Sequence, residues 1–252
     1  MPVRAIHYLF IVFLVISASG CHRDSPVVDS PSEEAARRPS RADQSEPAGA
    51  PPMRETAKPE ADRIGTLPTD IGIPVGEQAP DAVLRDTEGR EVRLRDLVVK
   101  GPILLLFYRG GWCPFCNFQI HEMTEAYPEL ERRGVTPVAV SVDRVDEAAT
   151  TQATYTIPFP VLSDPDLVAH RAFRVARHVG EAEVTRLRGF DMDIERSSGR
   201  DHHMIAIPSV FVIDREGIVR WAHADRDYKV RPSTEQIIAA IDSLHLPNAT
   251  PE

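Results

Sequence analysis

Apolar residues fall along the chain in an N-terminal run, a long polar gap and a domain-sized stretch of short apolar segments. Residues 6–16 are almost wholly apolar, but this run is too short to span a bilayer as a stable helix. Residues 22–66 are polar, rich in proline and free of aromatic residues, so they bury too little apolar surface to offset the entropy of ordering. We therefore predict a flexible tether over residues 21–67, a folded domain over residues 68–246 and a tail over residues 247–252.

The first half of the predicted domain alternates strand-like and helix-like patterns. Two short strands are predicted on either side of the turn residues 86–89 (DTEG). Residues 102–108 (PILLLFY) and 135–142 (VTPVAVSV) are continuous apolar runs, which suit strands buried on both faces. Between them, apolar residues recur at helical spacing over residues 114–133, and we expect Pro128 to kink this helix.

The alternation continues beyond the second buried strand. Residues 145–155 have a helical pattern, and residues 159–164 (FPVLSD) predict a short strand. A further helix is expected to begin at Asp164, with that carboxylate as the N-cap and Pro165 at the first helical position. Residues 175–205 are charged and lack clear periodicity, so we predict an inserted excursion that holds a short helix at most.

The last elements are a hairpin and a helix. Residues 209–214 and 218–224 flank a turn signal and predict an antiparallel hairpin, and Ser233 or Thr234 caps a final helix. The order of all these elements favours an α/β fold with helices on both faces of a central mixed, mostly parallel sheet. The hairpin adds an antiparallel edge to that sheet.

The N-terminal run changes the picture of where the protein resides. Arg4 precedes the apolar run, and Ala18-Ser19-Gly20-Cys21 follows it. This arrangement resembles a bacterial lipoprotein signal with its lipobox, although Leu is more usual at the position of Ala18. The resemblance implies a signal peptide over residues 1–20, lipidation of Cys21 and a periplasm-facing, lipid-anchored protein of the cell envelope. His22, directly after the cysteine, favours the outer membrane as the location of the lipoprotein. The alternative to a cleaved signal peptide is that the apolar run stays in place as an uncleaved N-terminal anchor.

Charge and cysteine content narrow the function classes. The net charge of −9 over 252 residues excludes nucleic acid as a partner on bulk electrostatic grounds. Three cysteines are present, at positions 21, 113 and 116. If Cys21 carries lipid, the pair Cys113 and Cys116 remains, and an exported compartment is oxidising enough for the pair to form a disulfide.

The pair lies in RGGWCPFCN, directly after a predicted buried strand and at the start of a predicted helix. A helix N-terminus stabilises a thiolate through its partial positive charge and free N–H groups. A three-residue offset brings both sulfurs to the same side of one turn, close enough to bridge. Cys116 falls on the apolar stripe of the helix, so we expect Cys113 to be the more exposed sulfur and Cys116 the shielded one.

A cysteine pair can also serve chemistries other than redox exchange. A structural zinc site needs about four ligands, and the sequence offers one cysteine pair. A structural disulfide closing so short a loop gains little chain entropy. His202 and His203 are adjacent and give a Cys-Cys-His copper site as a sharper alternative, although ordinary loop histidines are favoured, and His121 is expected to face solvent. No phosphate-binding loop or metal-protease motif appears, so we expect no cofactor and no resident metal.

Several landmarks together resemble a known family. Trp112-Cys113-Pro114-Phe115-Cys116 after a buried strand resembles the W-C-x-x-C site of the thioredoxin fold, and residues 207–214 (IPSVFVID) resemble the segment that carries the cis-proline of that fold. Residues 72–244 are similar to the alkyl hydroperoxide reductase/thiol-specific antioxidant (AhpC/TSA) family. The closest fit is its atypical branch with R-G-x-W-C-P-x-C-N-x-Q, and residues 159–164, Tyr228 and Arg231 are further landmarks of that branch.

The resemblance implies a thioredoxin-like fold and redox-active cysteines at positions 113 and 116. It places Arg109, Trp112, Pro114 and, as a cis-proline against the pair, Pro208 around them. Typical peroxiredoxins carry P-x-x-x-T/S-x-x-C, and in that register Arg109 replaces the proline, Cys113 the threonine, and Cys116 occupies the peroxidatic position. The arginine that such enzymes place before the F-x-I-D strand is absent, and Arg109 is the candidate replacement for its charge.

Two mechanisms remain open at this point. In the first, a peroxiredoxin-like cycle reduces hydroperoxides, and the two cysteines form a disulfide that an external, thioredoxin-like dithiol reduces. In the second, Cys113 attacks a protein disulfide and Cys116 resolves the mixed disulfide. The lipid anchor adds a membrane surface as a partner in either mechanism.

Overall fold

The structure is a computed structural model that describes residues 53–55 and 61–246. The predicted signal peptide, the lipidation site Cys21 and the predicted C-terminal tail lie outside the described residues. The first described element is a single 3-10 turn at Ala61–Arg63, and regular strands begin at Val83. Across the described ranges, no helix is long and apolar enough to cross a membrane.

A seven-stranded mixed sheet forms the centre of the domain, with the strand order β2-β1-β5-β4-β3-β8-β9. Only the pairings β3–β4 and β4–β5 are parallel, and the others are antiparallel. The prediction of an α/β fold with a central mixed sheet is confirmed, but the sheet is not mostly parallel: four of its six strand pairings are antiparallel, because β1, β2 and the hairpin β8–β9 join the three parallel strands in antiparallel pairings. The strands of this sheet are β1 (Val83–Arg85), β2 (Glu91–Arg93), β3 (Ile103–Phe107), β4 (Thr136–Ser141), β5 (Val161–Ser163), β8 (Ser209–Ile213) and β9 (Val219–Ala224).

Strand β3 lies in the middle of the sheet and is buried along its whole length, as its continuous apolar run predicts. Its side chains alternate between the two faces. Ile103, Leu105 and Phe107 pack on the face covered by the helices α1 (Leu94–Lys100) and α5 (Val168–Ala172). Leu104 and Leu106 pack on the other face, which we call the site-side core because it also contains both cysteines of the pair.

Helices cover both faces of the sheet, as predicted. The site-side core is covered by α2, α3, α4 and α8, whose buried residues include Ile120, Leu130, Ala148 and Ile237. Helix α1 was not predicted from the sequence. The helices are α1 (Leu94–Lys100), α2 (Pro114–Glu125), α3 (Tyr127–Arg132), α4 (Val145–Thr154), α5 (Val168–Ala172), α6 (Glu181–Arg188), α7 (Ile194–Ser198) and α8 (Thr234–Ser243).

Two helix predictions need correction. The helix expected over residues 114–133 is broken at Ala126, because the ring of Pro128 sits in the first turn of a second helix instead of kinking one continuous helix. The helix expected at Asp164 begins four residues later, after Leu167 in a left-handed conformation. The carboxylate of Asp164 still accepts hydrogen bonds from the backbone N–H groups of Val168 and His170. It therefore satisfies two donors at the start of the helix, although it is not the N-cap residue.

The excursion contains more structure than predicted. It holds β6 (Ala176–His178), α6, α7 and β7 (Met204–Ala206), and the two strands pair antiparallel as a second small sheet. Its own apolar cluster contains Val179, Val184, Leu187, Ile194 and Ile205, and Trp112 of the cysteine motif packs against this cluster. The excursion is therefore folded, and it forms a wall of the site because Trp112 of the cysteine motif packs against it.

The C-terminal predictions are confirmed. Strands β8 and β9 form the expected antiparallel hairpin. Ser233 caps α8 in a capping box: its side chain accepts from the backbone N–H of Gln236, and the Gln236 side chain accepts from the backbone N–H of Ser233. Helix α8 is thereby fixed over the site-side core.

Candidate functional site

The cysteine motif connects the end of β3 to the start of α2. Cys113 is the N-cap of α2, Pro114 occupies the first turn, and the backbone N–H of Cys116 donates to the carbonyl of Cys113 at 3.0 Å. Gly110 makes the turn possible, since its φ is +144° and a Cβ there would lie 2.3 Å from Nε1 of Trp112. The predicted strand–turn–helix setting of the pair is thus present.

Both cysteines are free thiols, and both are fully buried at 0% exposure. The prediction that Cys113 is the more exposed sulfur is wrong. The sequence pattern located Cys113 at the open end of an apolar stripe, but the turn packs it into the site-side core, with Trp112, Phe115 and Met53 against that core.

Arg231, which is recognisable in the sequence only as a landmark of the family branch, lies at the cysteine pair. It is 2% exposed, and its Nη2 donates to Sγ of Cys116 at 3.3 Å. Two further bonds hold it: Nη1 donates to Oε1 of Gln119 at 2.7 Å, and Nε donates to the carbonyl of Tyr228 at 2.8 Å. The pair is therefore in contact with a buried arginine that comes from the segment after the hairpin.

Arg109 brings a second positive charge, as predicted. Its guanidinium carbon lies 4.9 Å from the ring centroid of Trp112 and 4.4 Å from that of Tyr228. Glu183 of α6 approaches it to 3.9 Å. Arg109 is therefore fixed between two aromatic rings in a buried position, where its charge is poorly screened by water.

The surroundings separate the pKa values of the two thiols. Burial alone raises the pKa of Cys116, but the hydrogen bond from Cys113 and the charges of Arg231 and Arg109 outweigh it and lower that pKa to about 5. Burial, the hydrogen bond to Cys116 and the neighbouring Cys116 charge raise the pKa of Cys113 well above its ordinary value. At neutral pH the pair is therefore a Cys116 thiolate that accepts a hydrogen bond from the Cys113 thiol.

A buried carboxyl group that was not among the predicted site residues also adjoins the motif. Asp143 follows β4, and its Oδ2 accepts from the backbone N–H of Gly111 at 2.8 Å and from the hydroxyl of Ser141 at 3.0 Å. Burial raises the pKa of Asp143 to about 7, with the charges of Glu147 and Cys116 acting in the same direction. Its position after a buried strand was the available sequence signal.

The remaining predicted residues have defined places. Pro208 is buried in the link between β7 and β8. His202 bonds to the carbonyl of Pro165 through Nε2, and Nε2 of His203 lies 2.5 Å from a carboxylate oxygen of Glu195. In the described ranges, no three His, Cys, Asp or Glu side chains converge as a metal site. The copper alternative therefore lacks a third ligand among these residues.

Fold and site together define a thiol-dependent redox protein with a thioredoxin-like fold. The AhpC/TSA family model matches residues 75–222, more than half of the chain. The chain belongs to the AhpC/TSA family.

Curated relatives carry a more specific name. The chain is 35% identical over 91 residues to the thiol-disulfide oxidoreductase ResA of Bacillus anthracis, which covers 36% of this chain and 51% of ResA. It is 34% identical over 105 residues to ResA of Bacillus subtilis (strain 168), covering 41% of this chain and 58% of ResA. The chain thus spans about half the length of the curated relatives it matches.

Solved structures show the same fold. Peroxidoxin BcpB from Mycobacterium tuberculosis aligns with a TM-score of 0.54 at 20% identity, over 69% of this chain and 96% of BcpB. Reduced Prx3 from Vibrio vulnificus, solved in complex with hydrogen peroxide, aligns with a TM-score of 0.56 at 17% identity, over 67% of this chain and 99% of Prx3. At these identities the likeness supports the fold alone.

Proposed function

We propose that the protein reduces hydroperoxides through a Cys113–Cys116 dithiol/disulfide cycle in which Cys116 attacks first. The contact between Arg231 and the sulfur of Cys116 carries this proposal. It provides an ionised sulfur at the position that corresponds to the peroxidatic cysteine, with the guanidinium group of Arg231 beside it. A thiolate is the form of cysteine that acts as a nucleophile.

The cycle balances with the residues of the pair. The Cys116 thiolate attacks the terminal oxygen of the hydroperoxide, so an S–O bond forms, the O–O bond breaks, and the released alkoxide takes a proton from solvent to become an alcohol. Cys116 is now a sulfenic acid. The sulfur of Cys113 displaces its hydroxyl, which leaves as water, and a disulfide forms. An external dithiol then supplies two electrons and two protons and is itself oxidised to a disulfide.

Arg109 and Arg231 stabilise negative charge during the attack, since both lie where charge passes from sulfur to oxygen. Trp112 and Tyr228 hold Arg109 in place, and Pro114 begins the helix between the sulfurs. In this proposal Pro208, as a cis-proline, presents backbone to the reducing partner, which we expect to be a thioredoxin-like protein.

The test is peroxide consumption by the reduced protein and by the variants Cys113→Ser and Cys116→Ser, in single-turnover and steady-state form. We expect Cys116→Ser to lose the first reaction entirely. Cys113→Ser should keep one turnover and then stop at the sulfenic acid, which a sulfenic-acid-specific reagent traps. Peroxide loss no faster than with free dithiol would refute the proposal.

A second candidate is a thiol-disulfide oxidoreductase that acts on exported protein disulfides, and the ResA relatives favour it. In this mechanism Cys113 attacks the partner disulfide, and Cys116 resolves the mixed disulfide. Cys116→Ser should then accumulate mixed disulfides through Cys113 in the cell. The absence of such adducts would exclude this candidate, and high turnover of a protein disulfide with slow peroxide loss would favour it over the first.

The place of action is also a proposal. We infer from the lipobox-like residues at Cys21 that the protein is a lipid-anchored envelope protein, and that its domain belongs to the R-G-x-W-C-P-x-C-N branch of the family. A domain at the end of a tether over residues 21–67 would face the periplasm. In that compartment the pair would meet both peroxides and oxidised proteins.

A further inference from the structure

A short segment far from the cysteine motif in sequence lies against it in space. The backbone N–H of Arg54 donates to the carbonyl oxygen of Pro114 at 3.2 Å. Met53 is partly buried and packs against the site-side core, which includes both cysteines of the pair. The side chains of Arg54 and Glu55 are exposed. The attachment of the segment therefore includes this backbone bond and the apolar side chain of Met53.

The position of this bond points to the use of the surface. Pro114 lies between Cys113 and Cys116 and begins α2. A carbonyl oxygen has two lone pairs, so this one can accept from a second chain as well as from its own helix. Any extended peptide that donates to it must pass directly beside the buried pair. Recognition of extended peptides through backbone bonds together with side-chain pockets is common in proteins.

We propose that residues 53–55 occupy the docking surface of a partner protein as an internal peptide. The partner then presents a similar element: an extended segment with an apolar side chain followed by a free backbone N–H. The inference rests on the proposed function in one respect, that a protein dithiol or disulfide must reach the pair. The partner meant here is the reducing dithiol protein of the proposed cycle.

The burial of the pair supports this proposal. A protein disulfide or dithiol needs direct contact with a sulfur, but neither Cys113 nor Cys116 has any exposed surface. The segment must therefore leave, or another part of the cover must move, before electrons pass between proteins. Because the segment is covalently joined to the domain, its effective concentration at the surface is on the order of millimolar for a short link. A partner must compete with that concentration.

The first experiment measures access to the pair in the full chain with the variants Arg54→Pro and Arg54→Ala. Proline removes the N–H donor, whereas alanine keeps it, and the exposed side chain is lost in both. The rate of modification by a maleimide carrying a polyethylene glycol chain is followed by mass spectrometry of the peptide that contains Cys113 and Cys116. We expect Arg54→Pro to react about two- to tenfold faster than Arg54→Ala, the range set by the loss of one hydrogen bond.

Met53→Ser tests the apolar part of the attachment, and we expect it to accelerate labelling as well. Glu55→Gln is the control variant, and we expect its labelling rate to equal that of the native protein.

The second experiment adds the peptide PPMRETA, which has the sequence of residues 51–57, to the Arg54→Pro variant. We expect the peptide to slow labelling again, and the reversed sequence ATERMPP to have no effect.

Equal labelling of Arg54→Pro and Arg54→Ala would overturn the proposal, as would a failure of PPMRETA to protect the opened variant. Labelling requires neither peroxide nor a redox partner, so its outcome is independent of the catalytic cycle. A variant that labels faster and yet consumes no peroxide would count against the proposed function alone.

Discussion

At the residue scale, neighbouring groups shift the pKa values of two cysteines three positions apart in opposite directions. Both sulfurs are buried, and burial by itself favours the neutral thiol for each. Arg231 donates to Cys116, and the thiol of Cys113 donates to the same sulfur. Cys116, the residue nearer the interior of α2, therefore carries the negative charge, and Cys113 is the neutral thiol of the pair.

Substitution of Arg231 tests this assignment. We expect Arg231→Met to raise the pKa of Cys116 from about 5 towards the ordinary value, because the strongest nearby cation is removed. Since the folded-state pKa is lowered in the native protein, the thiolate persists down to about pH 5, and the variant should lose it at higher pH. At pH 6 we expect about tenfold less thiolate, measured by its absorbance near 240 nm, and a parallel loss in the peroxide rate.

Arg226→Met is the matched control, since it removes an exposed arginine from the same segment. Its thiolate titration should follow the native curve. A midpoint that remains near pH 5 in Arg231→Met would show that Arg109 and the helix start suffice to ionise Cys116. Arg231→Lys keeps the positive charge but replaces the guanidinium group by a single ammonium nitrogen. This variant therefore separates the effect of the charge from that of packing.

Asp143 predicts a pH dependence of stability. Its pKa is raised from 3.8 to about 7 in the folded state, so between these pH values the folded protein holds a proton that the unfolded chain releases. This group therefore makes the free energy of unfolding fall as pH rises from about 4 to about 7, by an amount on the order of 4 kcal/mol. Asp143→Asn removes that loss, while its amide oxygen can still accept from Gly111 and Ser141.

The measurement is urea unfolding of the native protein and Asp143→Asn at pH 4.5, 6 and 7.5. We expect the stability of the variant relative to the native protein to increase with pH across this range. The comparison is made between the two proteins because Cys116, whose pKa is lowered to about 5, contributes to stability with the opposite sign at pH values above about 5, a range that overlaps that of Asp143. Asp146→Asn, an exposed carboxylate, should show no such trend; a similar trend in both would contradict the assignment.

At the scale of elements, the excursion over residues 175–206 acts as a wall for the cysteine motif. Trp112 packs against both the excursion cluster and the site-side core, and Arg109 stacks on its ring. Glu183 of α6 reaches towards the same arginine and is bonded to Arg177 through both carboxylate oxygens. The wall is therefore tied to the site by one aromatic side chain and one ion pair.

Trp112→Ala should loosen this wall. We expect a loss of about 3 kcal/mol in stability, because a large, partly buried side chain is removed from two clusters. Amide hydrogen exchange should accelerate in residues 179–205 more than in β3 and β4. Trp221→Ala is the control, since Trp221 packs against the site-side core and not against the excursion cluster. Equal acceleration in the two variants would mean that Trp112 does not hold the wall.

The elements that could be predicted from the sequence are those fixed by local patterns. The apolar run of β3, the capping box at Ser233 and the glycine turn before Cys113 can all be recognised in the sequence alone. The excursion was predicted, but its two strands were not, because they pair across a long sequence separation, Ala176 with Ala206. Its short strands carry no alternation strong enough to reveal that pairing.

The site was predictable to a similar extent. The cysteine pair and Arg109 share one motif, so their proximity follows from the sequence. Arg231 lies 115 positions from Cys116, and only the antiparallel return of the hairpin brings it to the sulfur. The burial of Cys113 likewise depends on side chains from distant segments, such as Met53. Local patterns identified the chemistry of the site, and tertiary contacts determined which sulfur is ionised.

At the scale of the whole molecule, the proposed lipid anchor and tether would hold the redox domain near a membrane. The net charge of −9 disfavours close contact with an anionic lipid surface, so a covalent anchor is the stronger means of attachment. One acyl chain binds a membrane only marginally, whereas several anchor it firmly. Cys21 is the residue on which this arrangement depends, and it lies outside the described residues.

Cys21→Ala tests the anchor separately from the chemistry. In cells given labelled palmitate, the native protein should carry label and sediment with membranes, because lipidation of Cys21 supplies the acyl chains. The variant should take up no label and should leave the membrane fraction or persist as an uncleaved precursor, while Ser19→Ala, one step from the cleavage point, should behave as the native protein. Peroxide consumption by the Cys21→Ala protein should be unchanged, since Cys113 and Cys116 form the pair without it. Label retained by Cys21→Ala would refute lipidation at that residue, and membrane association without label in the native protein would favour an uncleaved N-terminal anchor.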